Sequence, residues 1–175
     1  MTTYAVLLRG INVGGARSIP MAALRTVLTD AGFGDVRTYL QSGNVVVSSR
    51  KSATAVADAV EREIGAAFGH DVTVMVRTGA ELAAVVAANP FARPDADPRR
   101  LMVAFLREPP AAERAAALEA RVAPPEAVHV AGCEVYLWLP DGMGRSKIAP
   151  AVERTLKAPM TARNWNTVAE LAAMT

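Results

Sequence analysis

Polar side chains suited to holding a ligand concentrate in three stretches of this 175-residue sequence. Arg9 and Asn12 bracket Gly10 just ahead of Gly14-Gly15. Gln41, Ser42 and Asn44 surround Gly43. Ser146-Lys147, Arg163, Asn164, Asn166 and Thr167 stand toward the other end. These groups are cations, amides and hydroxyls, and none is Asp, Glu, His or Cys. General acid–base chemistry near neutral pH draws on His or a shifted carboxylate, and metal sites draw on imidazole, thiolate or carboxylate. The set therefore suits holding an anion or a polar ligand rather than cleaving one, with no metal and no cofactor.

Each stretch also has a plain structural use. Asn12 with Gly14-Gly15 suits a turn in which the amide bonds nearby backbone. The stretch lacks the Gly-Lys-Ser/Thr ending of a P-loop and the spacing of a dinucleotide fingerprint. Gln41-Ser42-Gly43 separates two β-branched runs and reads as a hairpin turn. Asn164 stands where a helix N-cap is wanted, and helix N-termini also attract anions. Ser146 followed by Lys147 reads as a cap beside a solvated cation. His70 and His129 stand apart from these stretches, in a turn and in a strand, and Cys133 falls at a hairpin tip.

The elements that must position these residues follow from periodicity. Residues 4–9 form a short apolar strand, and residues 11–18 a loop. Met21, Leu24, Leu28 and Ala31 recur at helical spacing after Pro20. Residues 36–40 and 44–49 make a hairpin. Val56, Val60, Ile64 and Phe68 mark a helix closed by Gly69, and residues 72–76 a strand. After a helix at 81–88 and a Pro- and Asp-rich stretch at 89–98, the order repeats. It runs through a strand at 101–106, a helix from Pro110 to 121, a hairpin at 127–139, a helix at 147–157, a strand at 160–163 and a last helix at 164–174. The expected fold is α+β: two tandem ferredoxin-like (βαββαβ) subdomains packed together, with a linker helix and a C-terminal helix. The boundaries fall at 1–78, 79–98 and 99–175.

Composition narrows the class. Apolar residues make up 51% and charged residues 21% of the chain, which excludes a disordered polymer. No apolar run approaches the roughly 18 residues of a membrane span. With one cysteine and no secretory pattern, the expected location is the cytoplasm. The net charge of +2 resolves into +3 over residues 1–50, −3 over 51–140 and +2 over 141–175. The basic ends carry the polar stretches. On the second hairpin, Tyr136 and Trp138 share one face, either as a stacking platform or as covered core.

Taken together, Leu7-Leu8-Arg9-Gly10-Ile11-Asn12-Val13-Gly14-Gly15, Gln41-Ser42-Gly43-Asn44-Val45, Asn89-Pro90-Phe91, Ser146-Lys147 and Arg163-Asn164-Trp165-Asn166-Thr167-Val168 resemble the bacterial family known as domain of unknown function 1697. The resemblance covers nearly the whole chain. It implies two α+β subdomains related to the ferredoxin-like fold, and it implies no activity. The functional expectation is a binder of a small polar or anionic ligand, phosphate- or nucleotide-like, held between the subdomains by Arg9, Asn12, Gln41, Ser42, Asn44, Lys147, Arg163 and Asn164. Two alternatives stand beside it: a nucleic-acid-associated accessory protein, whose binding would weaken steeply with salt, and a structural or interaction module without ligand, in which the asparagines bond internal backbone.

Overall fold

The computed structural model describes residues 1–15 and 17–175. Ala16, within the expected 11–18 loop, lies outside the described residues. The chain divides into two compact units, one of Met1–Ala84 with Leu171–Thr175 and one of Val85–Glu170. Among the described residues there are two four-stranded antiparallel sheets and six α-helices.

The first unit runs β1 (Thr2–Leu8), α1 (Met21–Asp30), β2 (Gly34–Tyr39), β3 (Asn44–Ser49), α2 (Ala53–Phe68) and β4 (Val74–Thr78), followed by α3 (Gly79–Ala88). Its sheet order is β2-β3-β1-β4. Strand side chains alternate between faces. One set, Tyr4, Val6, Leu8, Val45, Val47, Val74 and Val76, packs with Leu24, Leu28, Val56, Val60 and Ile64 of the two helices. The opposite set, including Ala5, Leu7, Val46, Met75 and Arg77, is also buried. Burial of both faces explains why β1 reads as a continuous apolar run rather than an alternating one. The α2 helix begins on Ser52, whose hydroxyl accepts the Ala55 N–H, and ends on Gly69 at φ 69°.

The second unit repeats the order with β5 (Leu101–Leu106), α4 (Ala112–Arg121), β6 (Ala127–Ala131), β7 (Glu134–Trp138), α5 (Val152–Leu156) and β8 (Met160–Asn164), followed by α6 (Trp165–Met174). Its sheet order is β6-β7-β5-β8, the same permutation. Leu106, Leu118, Val135, Leu137, Ile148, Val152 and Leu156 form its core. The helix expected over 147–157 is shorter than its apolar spacing predicts. A 3₁₀ turn occupies Ala149–Ala151, and regular helix covers Val152–Leu156 alone. Pro150 has no N–H to give. The amides of Lys147 and Ile148 go instead to the Glu126 carboxylate at 3.2–3.3 Å. No helix is long and apolar enough to cross a membrane among the described residues.

Tyr136 resolves one of the open alternatives. It is buried, and its hydroxyl donates to the Val85 carbonyl at 3.2 Å. It stacks on His129, with centroids 6.4 Å apart, and so is packed rather than presented. Burial first, and the Glu134 charge second, push its phenol above the ordinary range. The neutral form is favoured in the fold. Its contribution is therefore complete below the unfolded value of about 10 and is lost as pH rises through the higher folded value. Tyr136→Phe is expected to cost about 1 kcal/mol at pH 8 through the lost hydrogen bond. Urea melts at pH 8 and pH 11 check this: the variant's deficit should narrow at pH 11, and an unchanged gap would contradict it.

Candidate functional site

The sequence-predicted residues divide between the units. Arg9, Asn12, Gln41, Ser42 and Asn44 belong to the first, and Lys147, Arg163 and Asn164 to the second.

In the first unit the amides work on the backbone. Asn12 sits at φ 54°, a conformation that asparagine adopts more readily than most residues. Its side-chain amide donates to the carbonyls of Ile19 at 2.9 Å and Gln41 at 2.7 Å, and its oxygen accepts the Ile19 N–H at 2.8 Å. One side chain thus closes the first loop and ties it to the hairpin turn. Asn44 is fully buried and donates to the Tyr39 carbonyl at 2.9 Å and to Ser42 Oγ at 3.1 Å. Between them Gly43, at φ 82°, accepts the Leu8 N–H at 2.9 Å. Arg9 is half-buried, with its backbone N–H on the Thr73 carbonyl at 3.0 Å.

In the second unit, Asn164 caps α6 by accepting the Thr167 N–H at 2.9 Å. Arg163 is 7% exposed, and its guanidinium donates to Thr161 Oγ1 at 2.7 Å and the Ala162 carbonyl at 2.8 Å. Burial pushes it down to about 10, so it stays charged at neutral pH. The first unit holds a counterpart that the sequence reading passed over. Arg77 is also 7% exposed and donates to the carbonyl of the preceding Val76. Each arginine is the penultimate residue of its unit's last strand, opposite Ala5 on β1 or Val103 on β5. Each is followed by a helix cap, Thr78 with Glu81 in one case and Asn164 in the other. The repeat therefore extends below element order to single side chains.

Lys147 alone among the eight lies on a described cavity. This cavity has a volume of about 370 Å³ and is lined by Arg121, Arg145, Lys147 and Arg154, with Glu126, Asp141 and the Pro124-Pro125 wall. Among the described residues none of these four cations is in an ion pair. The arginines of exposed pairs elsewhere, such as Arg62 with Glu63 and Arg99 with Asp97, do have partners. The chain positions the cations in three ways. Arg121 ends α4, Arg145 closes the 3₁₀ turn Met143–Arg145, and Arg154 lies on α5. Ser146 Oγ accepts the Ala149 N–H at 2.9 Å, fixing the bend that carries Lys147. The Glu126 carboxylate is held on the Lys147 and Ile148 amides, so it anchors this wall. Unpaired cations around a concave, partly apolar space attract a compact anion. Sequence reasoning missed Arg121, Arg145 and Arg154. The basic character of residues 141–175 covers Arg145 and Arg154 without singling out either, and Arg121 lies in the acidic middle of the chain. No group of His, Cys, Asp and Glu is placed to hold a metal ion among the described residues.

A family model described as a protein of unknown function, DUF1697, matches residues 1–136. The chain belongs to this family. Within this DUF1697 chain, the matched span includes both clamping asparagines of the first unit and ends before residues 141–154 of the cavity. No curated protein matches. The chain is similar to the solved structure of the conserved bacterial protein SP0830 from Streptococcus pneumoniae, with 24% identity and a TM-score of 0.75, covering 99% of this chain and 98% of that one. That likeness extends the fold over both units.

Proposed function

We propose that this protein binds a small phosphate-bearing ligand, nucleotide-like in size, in the Arg121–Arg145–Lys147–Arg154 cavity of the second unit. The observation that carries this is the set of four cations, none ion-paired among the described residues, around a space of about 370 Å³. That volume lies in the range of small-ligand pockets. The clamping roles of Asn12, Asn44 and Asn164 weigh toward structure for those three, and Lys147 keeps its assignment as a ligand contact. In the same reading each unit is a ferredoxin-like module, which the shared β-α-β-β-α-β order and strand permutation support. In this reading the protein acts in the cytoplasm as a binder, and no residue is assigned a catalytic role.

Calorimetric titration with inorganic pyrophosphate tests this. A cation–phosphate hydrogen bond contributes about 1.5–3 kcal/mol, so Arg145→Glu and Lys147→Glu should each weaken binding at least tenfold. Both side chains are exposed, so folding should survive. Equal affinity in wild type and variants, or no heat in either, would overturn the reading.

A further inference from the structure

A second cavity, of about 400 Å³, lies at the other end of α4. Arg107, Arg114 and Lys157 line it, together with the Pro109-Pro110 pair. The two cavities are built alike. Each takes one end of α4, one part of the α5 segment, a proline pair and a group of cations. Arg114 and Arg121 stand seven residues apart on α4, two turns along one helix face. Arg154 on α5 and Lys157 just past its end continue the cations, and Arg114 Nη1 donates to the Leu156 carbonyl at 3.3 Å, tying the two helices together. Seven cations and three carboxylates line the pair. Of those carboxylates, Glu126 is held on backbone amides. On α4 itself, Glu119 turns to His129 Nδ1 and the Val130 N–H.

We propose that the two cavities are the ends of one track along α4 and α5 for a single nucleic-acid strand. The proposal rests on the first cavity being a phosphate site. The ten residues of α4 span about 15 Å at 1.5 Å each. A strand advances about 3.4 Å per nucleotide in helical geometry, so the track accommodates roughly four to five phosphates. An isolated phosphate or mononucleotide fills one cavity and leaves the other cation group unused, whereas a strand engages both. Among the described residues no aromatic side chain lines either cavity, so binding reads the phosphate backbone and tolerates any sequence.

Fluorescence anisotropy on the full chain tests this, with labelled single-stranded oligodeoxynucleotides of two and ten nucleotides and pyrophosphate titrated separately by calorimetry. The decamer should bind at least tenfold more tightly than the dimer. Its log affinity should fall against log salt with a slope near −3, about 0.7 for each of four phosphates. Lys157 sits at φ 51°, which asparagine tolerates, so Lys157→Asn removes the charge without strain. It should weaken decamer binding about fivefold, lower the slope by about 0.7 and leave pyrophosphate binding unchanged. Arg145→Glu should weaken both ligands. Normal pyrophosphate binding with no length dependence, or with no effect of Lys157→Asn on the decamer, would overturn the track and leave the first cavity standing. Loss of both ligands in wild type would overturn both readings. Tighter binding of inorganic polyphosphate than of a decamer of equal charge would overturn the assignment to nucleic acid.

Discussion

Gly43→Ala is expected to destabilise the first unit by about 3 kcal/mol. Two separate costs combine. The residue sits at φ 82°, where a Cβ costs roughly 1 kcal/mol. That Cβ would also stand 2.9 Å from Leu8 Cβ and 2.9 Å from Ile11 Cγ1. Both neighbours are buried, at 0% and 1% exposure, so neither can swing into solvent, and overpacking of this kind costs about 1–3 kcal/mol. At about 2–4 °C per kcal/mol for a chain of this size, the melting midpoint should fall by about 10 °C. Gly14→Ala is the control. Its φ is 62°, but nothing lies within 4 Å of the added carbon, so only the backbone cost of about 1 kcal/mol applies. Equal midpoints for the two variants would contradict this account of the turn.

The second large effect is at Asn12. Asn12→Ala removes two donated bonds and one accepted bond and places alanine at φ 54°. The three lost bonds, in a half-buried site, and the backbone term together cost about 3 kcal/mol. Asn12→Gly keeps the backbone conformation and loses the bonds, so it should be milder than alanine by about 1 kcal/mol. Asn12→Asp keeps the acceptor for the Ile19 N–H but turns an anionic oxygen toward the Ile19 and Gln41 carbonyls, and should match or exceed the alanine loss. Urea denaturation of the three variants measures this ordering. A loss under 0.5 kcal/mol for alanine would remove the clamp role and return Asn12 to the ligand-contact reading.

Local chemistry made much of the fold legible. The apolar stripes of α1 and α2, Gly69 as a left-handed stop and the Asn164 cap are decided within a turn or two of chain, and such signals survive folding. The 147–157 segment reads as one longer helix because its apolar spacing is helical, while its first amides are claimed by Glu126, a residue 21 positions away from Lys147. No periodicity reports that competition. The same limit governs the site. Asn12, Gln41, Ser42 and Asn44 do come together, as the backbone clamp of a turn. The cationic cavity depends on bringing the end of α4 against residues 141–154. In a chain with 16 arginines among 19 basic residues, Arg121, Arg145 and Arg154 have no local feature that separates them from the rest. Lys147, which the sequence reading takes together with Ser146 after Gly142-Met143-Gly144, lies on the cavity wall. Tyr136 reads in the sequence as either a stacking face or covered core, and the partner that decides it, the Val85 carbonyl, lies 51 positions away.

The central claim is that the cavity at Arg121, Arg145, Lys147 and Arg154 receives a phosphate-bearing anion. Two-dimensional ¹H–¹⁵N NMR of the full chain during titration with inorganic pyrophosphate tests it most directly. The account predicts saturable shifts largest at the amides of residues 121–126 and 141–154, with the midpoint moved at least tenfold higher in Lys147→Glu. Shifts centred on residues 9–12 and 41–44, or none at concentrations that saturate a weak phosphate site, would contradict it.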